Sequence, residues 1–295
     1  MFANNFEYYR AGTADEAIEL LAAHEGAELV AGAHGLLPRM RTGEEAPPTL
    51  VDISGADGLS SVDETDAELS IGPLVTHSEL AVAESVRRRA PALADAAGEV
   101  GDLQVRNGGT IGGNLAHGDG RADLPAAVLA LEGSIEVRGP DGDRTIDADD
   151  CFLGHFETAV ADDELVTAVR IPKADDDVGG VTSAYRKRRN PRSGYALVGI
   201  AVRLQTDADD ESIQNARVAV TGATTHPRRL HGVEDALAEA SIAPDTIAEA
   251  ADRAGEGLDM DAFRSGPQAS AAYRRHLVAI DTERVLRDAL GLEAD

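Results

Sequence analysis

The stretch from Leu103 to Pro125 holds the residues whose types and spacing are best suited to binding chemistry. Four glycines, at 108, 109, 112 and 113, remove side chains where a backbone must approach another group closely or take a positive φ. Their amides, with Thr110 and Asn114, offer hydrogen-bond donors to an anionic or carbonyl-rich ligand. Asp123 comes next, before an apolar run that predicts a helix with Pro125 in its first turn. The pattern predicts a ligand-binding segment.

Three other segments carry distinctive patterns. Ala31-Gly-Ala-His-Gly-Leu36 follows a short predicted strand, an arrangement in which backbone amides face a ligand. The segment 184–198 is rich in arginine and includes Lys187 and Tyr195, and Ala272-Tyr-Arg-Arg-His-Leu277 lies in a predicted C-terminal helix. Since no G-x-G-x-x-G fingerprint follows a strand, a Rossmann dinucleotide site is not indicated.

The block Thr110-Ile-Gly-Gly-Asn114 followed by Asp123-Leu-Pro125 resembles the flavin subunit of molybdenum hydroxylases. These are relatives of xanthine dehydrogenase and aerobic carbon monoxide dehydrogenase, whose medium subunit binds FAD. The segments at 31–40, 184–198 and 272–277 resemble the family's other sequence blocks and occur in the same order. Their residue patterns are similar to those of the carbon monoxide dehydrogenase branch. The resemblance implies an α+β protein with a two-subdomain FAD-binding fold of the p-cresol methylhydroxylase type and a smaller α+β C-terminal domain.

The resemblance also implies which residues contact the cofactor. Two glycine-rich loops from different subdomains, 31–35 and 110–114, would grip the FAD pyrophosphate from both sides, with no side chain acting as an acid–base catalyst. The implied contacts are Ala31, Gly32, Ala33, His34, Gly35 and Leu36, then Thr110, Ile111, Gly112, Gly113 and Asn114, and finally Asp123, Leu165, Lys187 and Tyr195.

Other interpretations remain open for four of these residues. Asp123 is equally suited to interact with a helix dipole, and Leu165 and Tyr195 are suited to a core. Lys187 lies within Arg186-Lys-Arg-Arg189, which fits a solvated basic patch or a docking site for a partner subunit. If the patch docks a partner, charge reversal at its arginines should weaken subunit assembly.

Two positions in the first segment depart from the family pattern. Residue 33, commonly glycine, is Ala33, which is tolerated only if φ there is negative. Residue 35, commonly serine or aspartate, is Gly35, which removes a group that could meet the phosphate or ribityl region. Both changes leave the backbone donors in place, so we expect FAD affinity to be reduced rather than lost.

By the same resemblance, the chain is the FAD-binding medium subunit of a complex with a large molybdopterin subunit and a small 2Fe–2S subunit, as a heterotrimer or a dimer of heterotrimers. Electrons would pass from the 2Fe–2S clusters to the flavin and on to a terminal acceptor. Two alternatives are a standalone flavin oxidoreductase of the same fold and a non-catalytic structural subunit that has lost FAD.

The composition is strongly acidic, with a net charge of −26 and two lysines, Lys173 and Lys187. Such a surface disfavours nucleic acid or anionic membrane as a partner and favours a halophilic, cytoplasmic protein, because salt screens its self-repulsion. Cys151 is the single cysteine, so the chain cannot ligate an iron–sulfur cluster through cysteines, and Cys151 is expected to be buried. Residues 1–20 lack the pattern of a secretory signal, and no apolar run reaches membrane-spanning length.

The resemblance predicts an FAD-binding domain over residues 1–175, with subdomains at about 1–57 and 58–175, and a C-terminal domain over 180–292. The acidic stretch Lys173–Gly180 is the predicted boundary. Thr13-x-x-Glu16 predicts a capping box, and the turn Gly139-Pro-Asp-Gly142 between β-branched stretches predicts a hairpin. Beyond the boundary, strands are predicted at 196–204 and 217–221, followed by helices at 233–240, 246–254 and 269–290.

Overall fold

The N-terminal part of the protein is a small three-stranded parallel sheet. The structure, a computed structural model, describes residues 3–173 and 179–292. The sheet has the order β1-β3-β2, and its strands run over Glu7–Arg10 (β1), Ala27–Val30 (β2) and Thr49–Asp52 (β3). Its helices are α1 (Ala14–Ala23) and α2 (Leu36–Thr42). The predicted glycine segment at 31–35 therefore connects β2 directly to α2.

The second part is a five-stranded antiparallel sheet with helices packed on it. The strand order is β4-β5-β10-β6-β7, and the predicted hairpin is β6 and β7. The strands are β4 (Val62–Glu64), β5 (Glu68–Ile71), β6 (Ser134–Gly139), β7 (Gly142–Asp147) and β10 (Leu165–Pro172), and a separate hairpin is β8 (Phe152–Gly154) and β9 (Glu157–Thr158). The helices are α3 (His77–Val82), α4 (Glu84–Arg89), α5 (Pro91–Glu99), α6 (Leu103–Gly108), α7 (Ile111–His117), α8 (Leu124–Ala130) and α9 (Ala148–Cys151).

The third part is a second antiparallel sheet covered by three helices. Its order is β11-β12-β13-β14, with β15 also pairing to β13. The elements are β11 (Val181–Arg189), β12 (Ala196–Thr206), β13 (Ser212–Thr221), β14 (Arg228–Arg229), α10 (His231–Leu237), β15 (Ala240–Ser241), α11 (Pro244–Asp252) and α12 (Ala271–Leu290). Strands followed by helices confirm the predicted α+β class.

Two large cores meet across the sheet of the third part. On one face of that sheet, Val198, Ile200 and Val218 pack against apolar residues of α10, α11 and α12. From the other face, Tyr185, Ala201 and Ala219 join the core of the second part, which α5 and α8 dominate. Alternating strand residues point to opposite faces, so this sheet is sandwiched between the two cores.

Local sequence signals give most of these elements correctly but misassign one important segment. Thr13 caps α1 as predicted, although Glu16 bonds the Gly12 amide and not that of Thr13; a complete capping box occurs at Thr76 and Glu79 instead. The stretch 110–114, treated as a loop, is the N-cap and first turn of α7. Cys151 is fully buried, as predicted.

The predicted boundary at Lys173–Gly180 lies mostly outside the described residues, which omit 174–178. In the part of the chain that the structure describes, no helix is both long and apolar enough to cross a membrane.

Candidate functional site

A cavity of about 540 Å³ lies where the first and second parts of the protein meet. This volume falls in the range that cofactors and small ligands occupy. Of the fifteen site residues predicted from the sequence, all but Ile111 and Lys187 line it. Ile111 is fully buried in the core of the second part, because it faces inward from the first turn of α7.

The segment Gly32–Leu36 supplies the open hydrogen-bond donors of the cavity. Within the described residues, none of the amides from Gly32 to Leu36 has a hydrogen-bond acceptor in the protein. All of these residues line the cavity. Consecutive unpaired amides at a turn form a concave site for anions, so this segment is the anion cradle of the cavity.

In the second segment, the amides of residues 111–114 are already used by the fold, contrary to the sequence prediction. Ile111 donates to the carbonyl oxygen of Val75 (3.0 Å) and Gly112 to that of Pro73 (2.9 Å). The Gly113 amide bonds the hydroxyl of the N-cap Thr110, and the Asn114 amide bonds the Thr110 carbonyl oxygen. The glycines here serve close packing: none of the four has a positive φ, and a Cβ at Gly112 would lie 2.9 Å from the Cα of Pro73.

The close packing brings the two segments together. A Cβ at Gly32 would lie 2.7 Å from both the carbonyl carbon of Gly108 and the Cα of Gly109. A Cβ at Gly108 would lie 2.6 Å from Nε2 of His34. Side chains at these glycines would push the anion cradle away from α6, so the glycine pattern sets the shape of the cavity.

Ala33 takes a positive φ, the conformation predicted above to be unfavourable for alanine. Its φ is +59°, in the left-handed region, where a Cβ crowds the following carbonyl group. The fold holds alanine in this strained form because the adjoining β2 and α2 fix the path of the segment.

Replacing Ala33 by glycine should therefore stabilise the protein. We expect Ala33→Gly to raise the free energy of unfolding by about 1 kcal/mol, because glycine adopts positive φ without the steric cost. Thermal unfolding in high salt measures the effect. A lower melting temperature for Ala33→Gly than for wild type would contradict this account of the strain.

Asp123, Tyr185 and Lys187 form a buried charged cluster behind the cavity. The Tyr185 hydroxyl donates to Oδ1 of Asp123 (2.5 Å), and Lys187 Nζ donates to Oδ2 (2.8 Å) and to the Glu99 carbonyl oxygen (2.9 Å). Burial raises the pKa of Asp123 to about 6, although Lys187 and Tyr185 oppose that rise. The Lys187 side chain is fully buried, so it does not belong to a solvated patch, and it reaches the cavity through Asp123.

The arginines beside Lys187 are paired within the chain. Arg186 bonds Asp288, Arg188 forms a two-pronged ion pair with the buried Asp281, and Arg189 bonds Glu99. These pairs account for the basic segment without a partner subunit. Charge reversal here would disturb the packing of α12 and α5 on β11, so it cannot serve as a specific test of subunit docking.

Tyr195 lies in the turn between β11 and β12 and lines the cavity with Ser193 and Gly194. The guanidinium carbon of Arg121 is 4.4 Å from the centroid of its ring, and Arg121 is paired with the buried Asp119. Leu165, at the start of β10, both lines the cavity and belongs to the core of the first part. The two interpretations of Leu165 are therefore compatible.

His77, which was not predicted as a site residue, joins the predicted Asn114 in the cavity wall. Each has a buried polar atom, Nδ1 of His77 and Oδ1 of Asn114, with no partner among the described residues. Burial lowers the pKa of His77 to about 4, so its imidazole is neutral at pH 7. Asp119, Phe156 and Glu157 also line the cavity, and they were not predicted as site residues because only tertiary packing brings them there.

Comparison with known proteins identifies the family. Residues 4–174 match the family described as the FAD binding domain in molybdopterin dehydrogenase, and residues 183–289 match the CO dehydrogenase flavoprotein C-terminal domain. The chain is 35% identical to the nicotine 6-hydroxylase medium subunit of Paenarthrobacter nicotinovorans over 92% of each chain. It is 32% identical to the carbon monoxide dehydrogenase medium chain of Hydrogenophaga pseudoflava, over 86% of this chain and 87% of the relative.

Solved structures show the same architecture. A carbon monoxide dehydrogenase chain from Hydrogenophaga pseudoflava superposes with a TM-score of 0.92 at 31% identity, covering 99% of both chains. A chain of quinoline 2-oxidoreductase from Pseudomonas putida 86 superposes with a TM-score of 0.89 at 29% identity, also covering 99% of both. The chain belongs to the FAD-binding medium subunits of the carbon monoxide dehydrogenase and xanthine dehydrogenase family, and is a flavoprotein oxidoreductase subunit.

Proposed function

We propose that this chain takes electrons from 2Fe–2S clusters of a small partner subunit and passes them to a terminal acceptor. In the proposed complex, a large subunit holds the molybdopterin centre and the three chains form a heterotrimer or a dimer of heterotrimers. The names of the relatives support a multi-subunit assembly, since they are medium subunits or chains of dehydrogenases. When bound, the flavin supplies the redox chemistry of the subunit.

The residues of the cavity fit FAD. The observation that carries the proposal is the row of open amides from Gly32 to Leu36, which matches the need of a pyrophosphate for several donors. Gly112 and Gly113 would cover the dinucleotide from the opposite side by close packing, since the amides of residues 111–114 are occupied within the protein. Tyr195, held by Arg121, offers a flat surface to the isoalloxazine ring.

The protein contributes placement and electrostatics. Asp123 lines the cavity, and Tyr185 and Lys187 both donate hydrogen bonds to its carboxyl group. These two side chains therefore fix the position of the carboxyl group and influence its protonation. Leu165 and Val166 close the wall with apolar surface and exclude water from that side. None of these roles requires a side chain to transfer a proton to substrate.

The absorption spectrum of the purified protein tests the proposal. After incubation with FAD in high salt and desalting, we expect about one flavin per chain, released on denaturation. With the partner subunits and the substrate of the large subunit, the flavin bands should bleach anaerobically and recover on adding an acceptor. A flavin that never bleaches in the assembled complex would contradict the electron-transfer role. A protein that retains no flavin, alone or assembled, would favour the structural-subunit alternative.

We also propose that the protein works at high ionic strength, and that flavin binding requires salt. Among the described residues, no lysine or arginine lines the cavity, and Lys187 lies behind its wall. Three carboxylates that do line it, those of Glu28, Glu157 and Asp162, form no ion pair within the described residues. Desolvation, together with the charges of Glu45 and Asp162, raises the pKa of Glu28. Because the chain carries a charge of −26, a dianionic ligand meets net repulsion, which salt screens over roughly 3 Å at 1 M.

Raising KCl from about 0.1 M to about 2 M should therefore tighten FAD binding several-fold, as measured by quenching of flavin fluorescence. Glu28→Gln should reduce this salt dependence, because it removes a carboxylate from the wall. Asp209→Asn, in the exposed turn between β12 and β13, is the matched control and should leave it unchanged. Binding that weakens with salt would refute the screening argument.

A further inference from the structure

The His117 imidazole fills space that a side chain at position 35 would otherwise occupy. His117 is the last residue of α7 and lines the cavity. A Cβ at Gly35 would lie 2.7 Å from both Nε2 and Cδ2 of the imidazole. The imidazole can therefore occupy this position only because residue 35 has no side chain.

Phe156 also packs against the imidazole of His117. The centroids of the two rings are 4.9 Å apart at an interplanar angle of 56°. The Phe156 ring also packs against His155, with centroids 4.0 Å apart, and the guanidinium carbon of Arg39 lies 4.0 Å from its centroid. Phe156 has a φ of +61°, and such strain in a bulky residue concentrates at sites that bind ligands.

The ring nitrogens of His117 are available to a ligand. Within the described residues, no hydrogen bond to either ring nitrogen is present, although the side chain is half-buried. Burial lowers the pKa of His117, Asp119 and Glu45 oppose this change, and Arg39 and Arg121 reinforce it. The ring is therefore a neutral donor at pH 7, placed beside the open amide of Gly35.

We propose that His117 is a cofactor-binding residue that donates a hydrogen bond from its imidazole to a phosphate oxygen held at the amides of Gly32–Leu36. Phe156 is a positioning residue that holds the ring over Gly35. The inference rests on the proposed binding of FAD in this cavity. It explains how the chain keeps a side-chain donor at the cradle although residue 35 has none.

The arrangement links flavin binding to proton uptake. A phosphate beside His117 favours the protonated imidazole, so bound FAD raises the pKa of His117. Affinity should then increase as the pH falls from about 8 to about 6. The charged groups that act on the ring are Glu45, Asp119, Arg39 and Arg121. Since His34 also lines the cavity and His155 packs on Phe156, the assignment of the pH effect needs a His117 variant.

The test is an FAD titration of the full chain in high KCl at about pH 6 and about pH 8, followed by flavin fluorescence. We expect His117→Phe, which keeps the packing on Phe156, to weaken binding about tenfold and to abolish the pH effect. His117→Gln keeps a donor and should stay within about threefold of wild type at pH 8, without the pH effect. His276→Phe, at an exposed position of α12, is the matched control.

Gly35→Ala provides a second, independent route, because its Cβ displaces the imidazole without changing His117. We expect Gly35→Ala and His117→Ala to weaken binding equally, and the double variant to be no weaker than either. Circular dichroism confirms that each variant is folded.

Losses that add in the double variant would overturn the inference. A His117→Phe variant with the FAD affinity and pH profile of wild type would also overturn the inference, but the proposed function would stand. A wild-type chain that takes up no FAD, alone or assembled, would overturn both proposals.

Discussion

Gly32→Ala is expected to weaken FAD binding by about a hundredfold. The added Cβ would lie 2.7 Å from the Gly108 carbonyl carbon and the Gly109 Cα, and closer still to the Gly108 carbonyl oxygen. These are backbone atoms, so relief requires the cradle or the end of α6 to move. Overpacking of this kind costs about 1–3 kcal/mol, and the upper value corresponds to a hundredfold in affinity.

The matched control for this prediction is Gly266→Ala, because a Cβ at Gly266 meets no atom within 4 Å. FAD titration of both variants, with thermal unfolding of each, separates a shifted cradle from general destabilisation. If Gly32→Ala binds FAD as wild type does, the contact between the two segments does not shape the cofactor site.

Lys187→Met is expected to destabilise the folded protein by about 3–5 kcal/mol at pH 8, because it leaves the Asp123 carboxylate buried without its cation. Asp123 is 2% exposed, and Lys187 is its salt-bridge partner. Loss of the cation raises the pKa of Asp123 above its wild-type value of about 6. Urea unfolding in high salt measures the change in the free energy of unfolding.

The pH dependence of the destabilisation by Lys187→Met follows from the direction in which folding shifts the pKa of Asp123. Since folding raises the pKa of Asp123 from about 4 to about 6, this carboxyl contributes most stability below about pH 4, and the contribution is lost as the pH rises past 6. Near pH 5 the carboxyl is protonated, so the cost of Lys187→Met should be much smaller than at pH 8. The double variant Lys187→Met with Asp123→Asn removes the charge and should recover most of the stability at pH 8. An equal cost at both pH values would show that Lys187 contributes packing and not charge.

Local patterns were sufficient for most helices and strands and for the existence of the two glycine segments. Caps, the hairpin turn and apolar periodicity depend on residues within a few positions of each other, so they can be read directly. The prediction that the amides of 110–114 are open to a ligand was wrong for residues 111–114, whose amides are paired within the protein. Their acceptors include Pro73 and Val75, which lie about forty residues earlier and carry no sequence signal for this role.

By itself, the sequence determined the family, the α+β class and the order of the elements, and thirteen of the fifteen site residues predicted from it line the cavity. The tertiary structure alone decided which donors remain open, because a backbone amide is available only if no distant carbonyl pairs with it. It also decided that Lys187 is buried against Asp123 and that the His117 imidazole lies over Gly35. Burial and pairing depend on groups brought together from distant positions, whereas secondary structure depends mainly on neighbours along the chain.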